Sequence, residues 1–447
     1  MKFVFRLLWL WLLLPALATA QRSYTLIGAD ETADSMRVSL LTCAPGHKIW
    51  RLYGHTAVRI DNPKEHKNDR VYNYGLFSFG KPDFLVKFIF GLTDYSMGRE
   101  STALFLSTYL NDDMPVTQQV LNLTRQQAEH LQGELDAVLN DNGFERKTIV
   151  TERLDGTPDT LVADVPHWHY RYNFLYDNCT TRAVEAIVRA VESTGEKIIY
   201  PSLEISRQTV TQREMIHEFT AGSPWNELGQ DFLLGPEVDR RHSIRQMTTL
   251  NFLPVYAQNF FAGALIKGRD GRTRSLVSET EPLLPFVGKN RAESRSLSPS
   301  VVFWTLSGLV VLLTLGDLRS RKKSPITRRA WRIWTNAFDT VFFIGMGLVG
   351  MLLSFMVIWS QHPAVGTNWL LTICHPLLLL HAALRPLIRR RWQRDPGALL
   401  MAAGAALYFM ALFGGWQHFP SSATALALIL LIRSLASFFT TGREARA

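Results

Sequence analysis

The chain has 447 residues, 47% of them hydrophobic, a formal charge of +9 and three cysteines. That length suggests two or three domains. The positive balance does not point to nucleic acid, because the basic residues gather in two short loops and in the tail after Ile432, where membrane orientation and anionic lipid account for them.

Residues 1–20 read as a secretory signal. Lys2 and Arg6 form a basic start, "LLWLWLLLPAL" is an apolar stretch, and Ala18-Thr19-Ala20 offers a small-residue cleavage site. The alternative is an uncleaved anchor helix. Either way the following segment is exported, and no cysteine directly follows the cleavage site, which argues against a lipoprotein. Residues 21–265 read as an exported α+β domain. Strands are expected over 36–45, 55–61, 70–79 and 114–122 from their β-branched and aromatic residues. "LTRQQAEHLQGELDAVLN" predicts a helix with a Thr124/Gln127 capping box and an apolar face of Ala128, Leu131, Leu135, Val138 and Leu139. A second helix is expected after Cys179, and "GLTDYSMG" and "LGQDFLLGPE" read as turns and packing segments. The polar run 266–298 reads as a linker.

From there on the chain is that of a membrane domain, 299–440, with spans at 299–317, 336–360, 367–388, 397–416 and 421–440 and a tail at 441–447. "RSRKKSPITRRAWR" and "RPLIRRRWQRD" are basic, whereas "QHPAVGTN" and "GGWQHFPSS" contain no Lys or Arg. Basic loops stay in the cytoplasm. The first span therefore runs outward to inward, the fifth ends inside, and the N-terminal domain is exported.

Cys179 stands where the tyrosine-rich "YNFLYDNCTTR" turns into a helix. Asp177 and Asn178 are cap candidates, and a thiol in the first turn feels the helix dipole, which favours the thiolate. A thiolate nucleophile also needs a base, for which histidine is suited. His55, opening the strand "HTAVRID", is the best placed; His167 and His169 are second candidates, and His66 and His130 sit in solvated contexts. Cys179 could equally be an inert buried thiol or a disulfide partner of Cys43. Tyr53, Asn73 and Tyr172 are candidates to orient the pair, and His362 is a candidate lipid-headgroup contact in a periplasmic loop. His375 and His381 fall in the third span beside Cys374, where Pro376 suggests a kink. No spacing resembles a zinc set and no Gly-rich phosphate loop occurs, so neither metal nor cofactor is expected.

The segments "SLLTCAPGHKIWRLYGHTAVRI", "VYNYGLFSF", "YRYNFLYDNCTTR" and "LGQDFLLG" resemble the Lnb-type lipoprotein N-acyltransferase family over about residues 37–265. The resemblance implies a permuted papain-like (NlpC/P60-like) cysteine-enzyme fold with a Cys–His dyad, here Cys179 and His55, followed by an all-α transmembrane domain. It implies transfer of an acyl chain from a phospholipid donor, through a thioester, to the α-amine of a diacylated lipoprotein acceptor. An amidase or peptidase acting on peptidoglycan or peptides, and a non-catalytic envelope scaffold, are the competing readings.

Overall fold

The computed structural model describes residues 36–46, 48–61, 69–77, 84–140, 144–152, 158–166, 169–200, 209–243, 252–286, 297–392 and 394–441. The signal-like segment, His47, His66, His167 and most of the C-terminal tail lie outside them.

The periplasmic domain is organised by one antiparallel sheet. Its strands are β1 (Arg37–Cys43), β2 (His55–Asp61), β3 (Arg70–Leu76), β4 (Asp94–Ser101), β5 (Val116–Leu121), and later β8 (Tyr170–Arg171) and β14 (Val277–Leu284). They lie in the order β14-β5-β1-β2-β3-β4-β8. Between them run α1 (Phe84–Phe90), α2 (Thr102–Asn111), α3 (Arg125–Asn140), the hairpin β6–β7 (Phe144–Glu152, Pro158–Pro166) and α4 (Cys179–Glu192). Strand β1 is buried on both faces, and its alternation divides it between two cores. Val38 and Leu40 pack under α3 and α4, with Leu131, Leu135, Ala183 and Ile187. Leu41 and Cys43 pack against Phe105 and Tyr109 of α2 on the other side.

Helix α3 starts as its sequence predicts. The Thr124 amide donates to Gln127 Oε1 at 2.9 Å, and the Gln127 amide donates to Thr124 Oγ1 at 3.3 Å. Two expectations are corrected. "GLTDYSMG", read as a turn, contributes Asp94–Gly98 to β4, which pairs with β3 well inside the sheet. The run read as a linker is folded through Leu284. Strands β12 (Leu265–Lys267) and β13 (Thr273–Ser275) pair with each other, β12 also pairs with β9 (Lys197–Ile199), and β14 pairs with β5. Being at a sheet edge, β14 keeps polar side chains in solvent, so it lacks the apolar pattern that marks an interior strand.

A smaller lobe holds β10 (Thr209–Thr211) paired with β11 (Arg241–Ser243), α5 (Gln212–Thr220) and α6 (Pro224–Leu233), and α7 (Pro254–Gly263) lies between it and the main sheet, with Phe260 in the lobe's core and Ala257 and Phe261 in the sheet's. The membrane domain has five helices long and apolar enough to cross a bilayer. These are α8 (Pro299–Ser320), α9 (Pro325–Trp359), α10 (Leu377–Arg391, preceded by the 3-10 turn Trp369–Thr372), α11 (Pro396–Phe413) and α12 (Ser421–Thr441). The third span breaks at Pro376, as its position suggested. Helix α9 begins 11 residues before the apolar span read from sequence, because "PITRRAWRIWT", though basic, stays helical behind the Ser324 cap.

The lobe docks on the periplasmic loops of this bundle. Gly235 N donates to Ala364 O at 2.6 Å, Asn368 Nδ2 to Phe232 O at 2.7 Å, and His418 N to Asp239 Oδ2 at 2.9 Å. "LGQDFLLGPE" is thus a packing segment, and what it packs on is the membrane domain.

Candidate active site

Helix α4 begins at Cys179, and its N-cap is Asn178. The Asn178 side chain accepts from the amides of Thr180 at 2.8 Å and Thr181 at 3.0 Å, while Thr181 Oγ1 accepts from the Asn178 amide at 2.8 Å. The same Asn178 donates through Nδ2 to the carbonyls of Phe174 and Phe252, both at 2.8 Å. One asparagine therefore caps the helix and fixes the turn that delivers the thiol. Its neighbour Asp177 has a different task, pairing with Arg182 at 2.6 Å. The Arg182 guanidinium lies 4.0 Å over the Tyr170 ring.

Strands β2 and β3 bring the other groups. His55, the first residue of β2, hydrogen-bonds Cys179, and its Nε2 lies 2.5 Å from Asn73 Oδ1 on β3. An amide oxygen can only accept, so Nε2 carries the proton there and Nδ1 is left for the thiol. Asn73 Nδ2 in turn donates to Glu100 Oε1 on β4 at 3.3 Å. The result is a chain, Cys179–His55–Asn73–Glu100, running from a helix start across three adjacent strands. The His55 ring lies parallel to Tyr109, with centroids 6.4 Å apart. At Gly75 the φ of +89° favours glycine, and a Cβ there would be in ordinary contact with the pair, 3.4 Å from Cys179 Cβ and 3.9 Å from His55 Cε1.

The electrostatics follow from this geometry. Burial raises the Cys179 thiol pKa, but the facing His55, its hydrogen bond, the Thr56 amide and the Thr180 hydroxyl together bring it below the ordinary thiol range. Burial lowers the His55 pKa, yet Cys179 and Asn73 carry it above that of a free imidazole. Each group thus favours the charged form of the other, the condition for a thiolate–imidazolium pair. Cys43 is the contrast. It faces His55 across the β1–β2 register but is fully buried, and burial drives its thiol pKa far up. All three cysteines are free.

Tyr172 also lies beside the thiol: its ring stacks on Tyr95 at 4.1 Å, and both phenols feel the Cys179 charge. Tyr53 and His362 bond elsewhere. Tyr53 bonds Gln230 of α6 and packs on Phe174. His362 Nε2 donates to the Phe88 carbonyl at 2.5 Å. His130 and His169 are exposed. Glu100, Thr56, Tyr95 and Tyr170 were not legible as site residues, because strand register and ring stacking bring them to the thiol, whereas Thr180 follows Cys179 directly and was passed over.

Among the described residues one cluster outside this site has metal-ligand chemistry: ligand atoms of His217, Glu227 and Asp231 lie within 4.8 Å of one another. Arg213 Nη1 and His217 Nε2 already bond Asp231 Oδ1, at 2.7 and 2.9 Å, so a guanidinium supplies the positive charge a cation would bring. The cluster reads as the ion pairing that joins α5 to α6.

Residues 28–148 match the family model described as the Lnb N-terminal periplasmic domain, and residues 291–445 match that of the Lnb transmembrane domain. No curated protein and no solved structure matches the chain. The first match contains His55, Asn73 and Glu100, whereas Cys179 falls between the two. Together the matches span more than half of the sequence and include all five membrane helices. The chain belongs to the Lnb-type family, as a multi-pass protein of the bacterial inner membrane with its N-terminal domain in the periplasm.

Proposed function

We propose that this protein is a lipoprotein N-acyltransferase working through a thioester on Cys179. The observation that carries the reading is the Cys179–His55 pair at the start of a capped helix, in a periplasmic domain seated on a membrane bundle. The antiparallel sheet that supplies His55 and Asn73 before the helix that supplies Cys179 is also the order expected of a permuted papain-like fold.

In the first half-reaction the Cys179 thiolate attacks the carbonyl carbon of a phospholipid ester. The Asn178 cap engages the amides of Thr180 and Thr181, so the Cys179 N–H remains for the oxyanion. The ester C–O bond breaks, the imidazolium of His55 gives its proton to the departing alkoxide, and a lysophospholipid leaves behind an S-acyl enzyme. In the second, the neutral α-amine of a diacylated lipoprotein attacks the thioester carbonyl while His55 takes its proton. The C–S bond breaks, an amide forms, and the thiolate–imidazolium pair returns. Asn73 acts by orienting the ring, and Glu100 by orienting Asn73. A thioester suits this sequence because it traps the acyl group yet yields to an amine.

The test is reconstitution of the protein in vesicles with a chain-labelled phospholipid and a diacylated lipopeptide. Mass spectrometry should find label on Cys179 without acceptor and on the lipopeptide N-terminus with it. Release of peptidoglycan fragments instead would favour an amidase, and full activity of Cys179→Ala would reduce the thiol to a structural part.

A further inference from the structure

The short helix α1, "FLVKFIF", belongs to the periplasmic domain in sequence but exposes two apolar side chains on either side of Lys87: Val86 is 56% and Phe88 45% exposed. Other apolar residues of the domain are exposed too, Trp50 and Leu110 among them, so what distinguishes these two is their position. What they adjoin is the outer end of α9. Phe90 packs edge-on against Phe355 at 4.6 Å, and Phe355 lies 5.6 Å from Trp359, which is 60% exposed. A tryptophan at the end of a spanning helix marks the water–lipid boundary. The exposed Val86 and Phe88 of α1 therefore adjoin the lipid-facing belt of the bundle.

The attachment is specific. The last carbonyls of α1 would lack partners, as at any helix end. Here they are met by the residues leaving α9: Ser360 Oγ donates to Ile89 O at 2.9 Å, Gln361 N to Phe90 O at 2.8 Å, and His362 Nε2 to Phe88 O at 2.5 Å. At Gly91, with φ of +68°, a Cβ would stand 2.7 Å from His362 N, so only glycine allows this approach. Two residues on, Thr93 O accepts from Tyr172 N at 3.4 Å, and Tyr95 stacks on Tyr172 beside the thiol. Arg171 bridges the same junction, to Asp94 at 3.0 Å and Gln361 at 3.4 Å.

We infer that α1 is an interfacial helix whose exposed Val86 and Phe88 lie in the outer leaflet, and that it and the Tyr95–Tyr172 wall form a lateral path from that leaflet to Cys179. The occupant of this surface is the bilayer itself, and the substrate class it admits is a lipid acyl chain that reaches the thiol without crossing water. The path rests on the acyl-transfer reading, whereas the insertion of α1 does not.

The experiment separates the two. Full-length Val86→Cys in a Cys179→Ser background is labelled with an environment-sensitive fluorophore and reconstituted in phosphatidylcholine–phosphatidylglycerol vesicles. The label should be quenched several-fold more by lipids bearing a nitroxide at carbon 5 than the same label at His130→Cys on exposed α3, and shielded from aqueous iodide. Equal quenching at the two positions, or crosslinking of Val86→Cys to a second copy, would overturn insertion whatever the reaction is. Val86→Asp, with Cys179 and His55 intact, should lower transfer from bilayer phospholipid at least tenfold while leaving transfer from a detergent-dispersed short-chain phospholipid and the alkylation rate of Cys179 unchanged. Unchanged transfer from bilayer donor would overturn the lateral path. Absence of transfer from either donor in the parent protein would instead sink the acyl-transfer reading and leave the quenching result standing.

Discussion

The cluster around Cys179 and the cluster between the cytoplasmic ends of the membrane helices use similar ingredients and reach opposite states. In the bundle, Asp339 of α9 accepts from Arg433 of α12 at 2.6 and 3.0 Å and also pairs with Arg385 of α10. Arg433 reaches Thr314 of α8 at 2.9 Å, and His381 of α10 bonds Asp395, the cap of α11, at 3.0 Å. All five helices are tied, and each carboxylate has a cationic or imidazole partner. In the thiol site Cys179 and His55 each favour the charged form of the other, and a single proton can move between them. Ion pairs fixed in a low-dielectric interior hold helices together; a pair poised between neutral and charged forms can do chemistry.

The comparison breaks first at the thiol. Cys179→Ser and His55→Ala should each lower transfer by roughly a thousandfold or more, and the double variant should be no worse than either, because nucleophile and base act as a unit. Kinetics in vesicles with correctly inserted protein measure this, and losses that multiply would mean the pair is wrongly assigned. Next is the bundle. Asp339→Ala leaves two arginines without a carboxylate and should destabilise the membrane domain by about 3–5 kcal/mol, read from denaturation in detergent, with Cys179 alkylation in the folded fraction unaffected.

Asn73→Ala should come third. Freed of its amide partner, the His55 ring can rotate, and displacements of that kind cost up to about a hundredfold in rate. Asn73→Asp should restore more activity than Asn73→Ala, since it keeps an acceptor oxygen. The pH behaviour sharpens the same contrast. Cys179 is held below and His55 above their ordinary values, so the thiolate persists to lower pH than an ordinary thiolate, and Cys179 should alkylate at a pH where Cys43 does not. Removing His55 leaves burial to dominate and should move the alkylation profile to higher pH. The smallest effect separates two adjacent residues: Asn178→Ala should cost about 1–2 kcal/mol as a lost cap. Asp177→Ala, losing a solvent-accessible ion pair, should cost less than about 1 kcal/mol.

How much of this was legible depended on whether the signal was local. The sequence "HTAVRID" marks β2 with its boundaries, and the polar pair before Cys179 marks the helix start, since strand alternation and capping are written within a few residues. The basic-loop asymmetry likewise revealed the membrane topology. Glu100 was hidden, because it meets Asn73 only once β4 has paired with β3 in the observed register. Asn73 and Tyr172 were recognisable as candidates but could not be told apart from Tyr53, whose phenol turns to Gln230 of α6. The edge strand β14 was missed because its stabilising partner lies far back in the chain, and its own side chains stay polar.

That edge strand carries a consequence for how the protein is made. Residues 277–284 complete the sheet by pairing with residues 116–121, some 160 positions earlier, and the first spanning helix begins at Pro299. During synthesis the periplasmic sheet must wait, with the outer edge of β5 open, until nearly all of the exported segment has emerged. Its last strand arrives just ahead of the segment that stops export. Completion of the sheet is therefore timed to anchoring, and a chain severed between the two strands would present the open edge of β5 to other nascent chains, a route to aggregation in the periplasm rather than to a soluble enzyme.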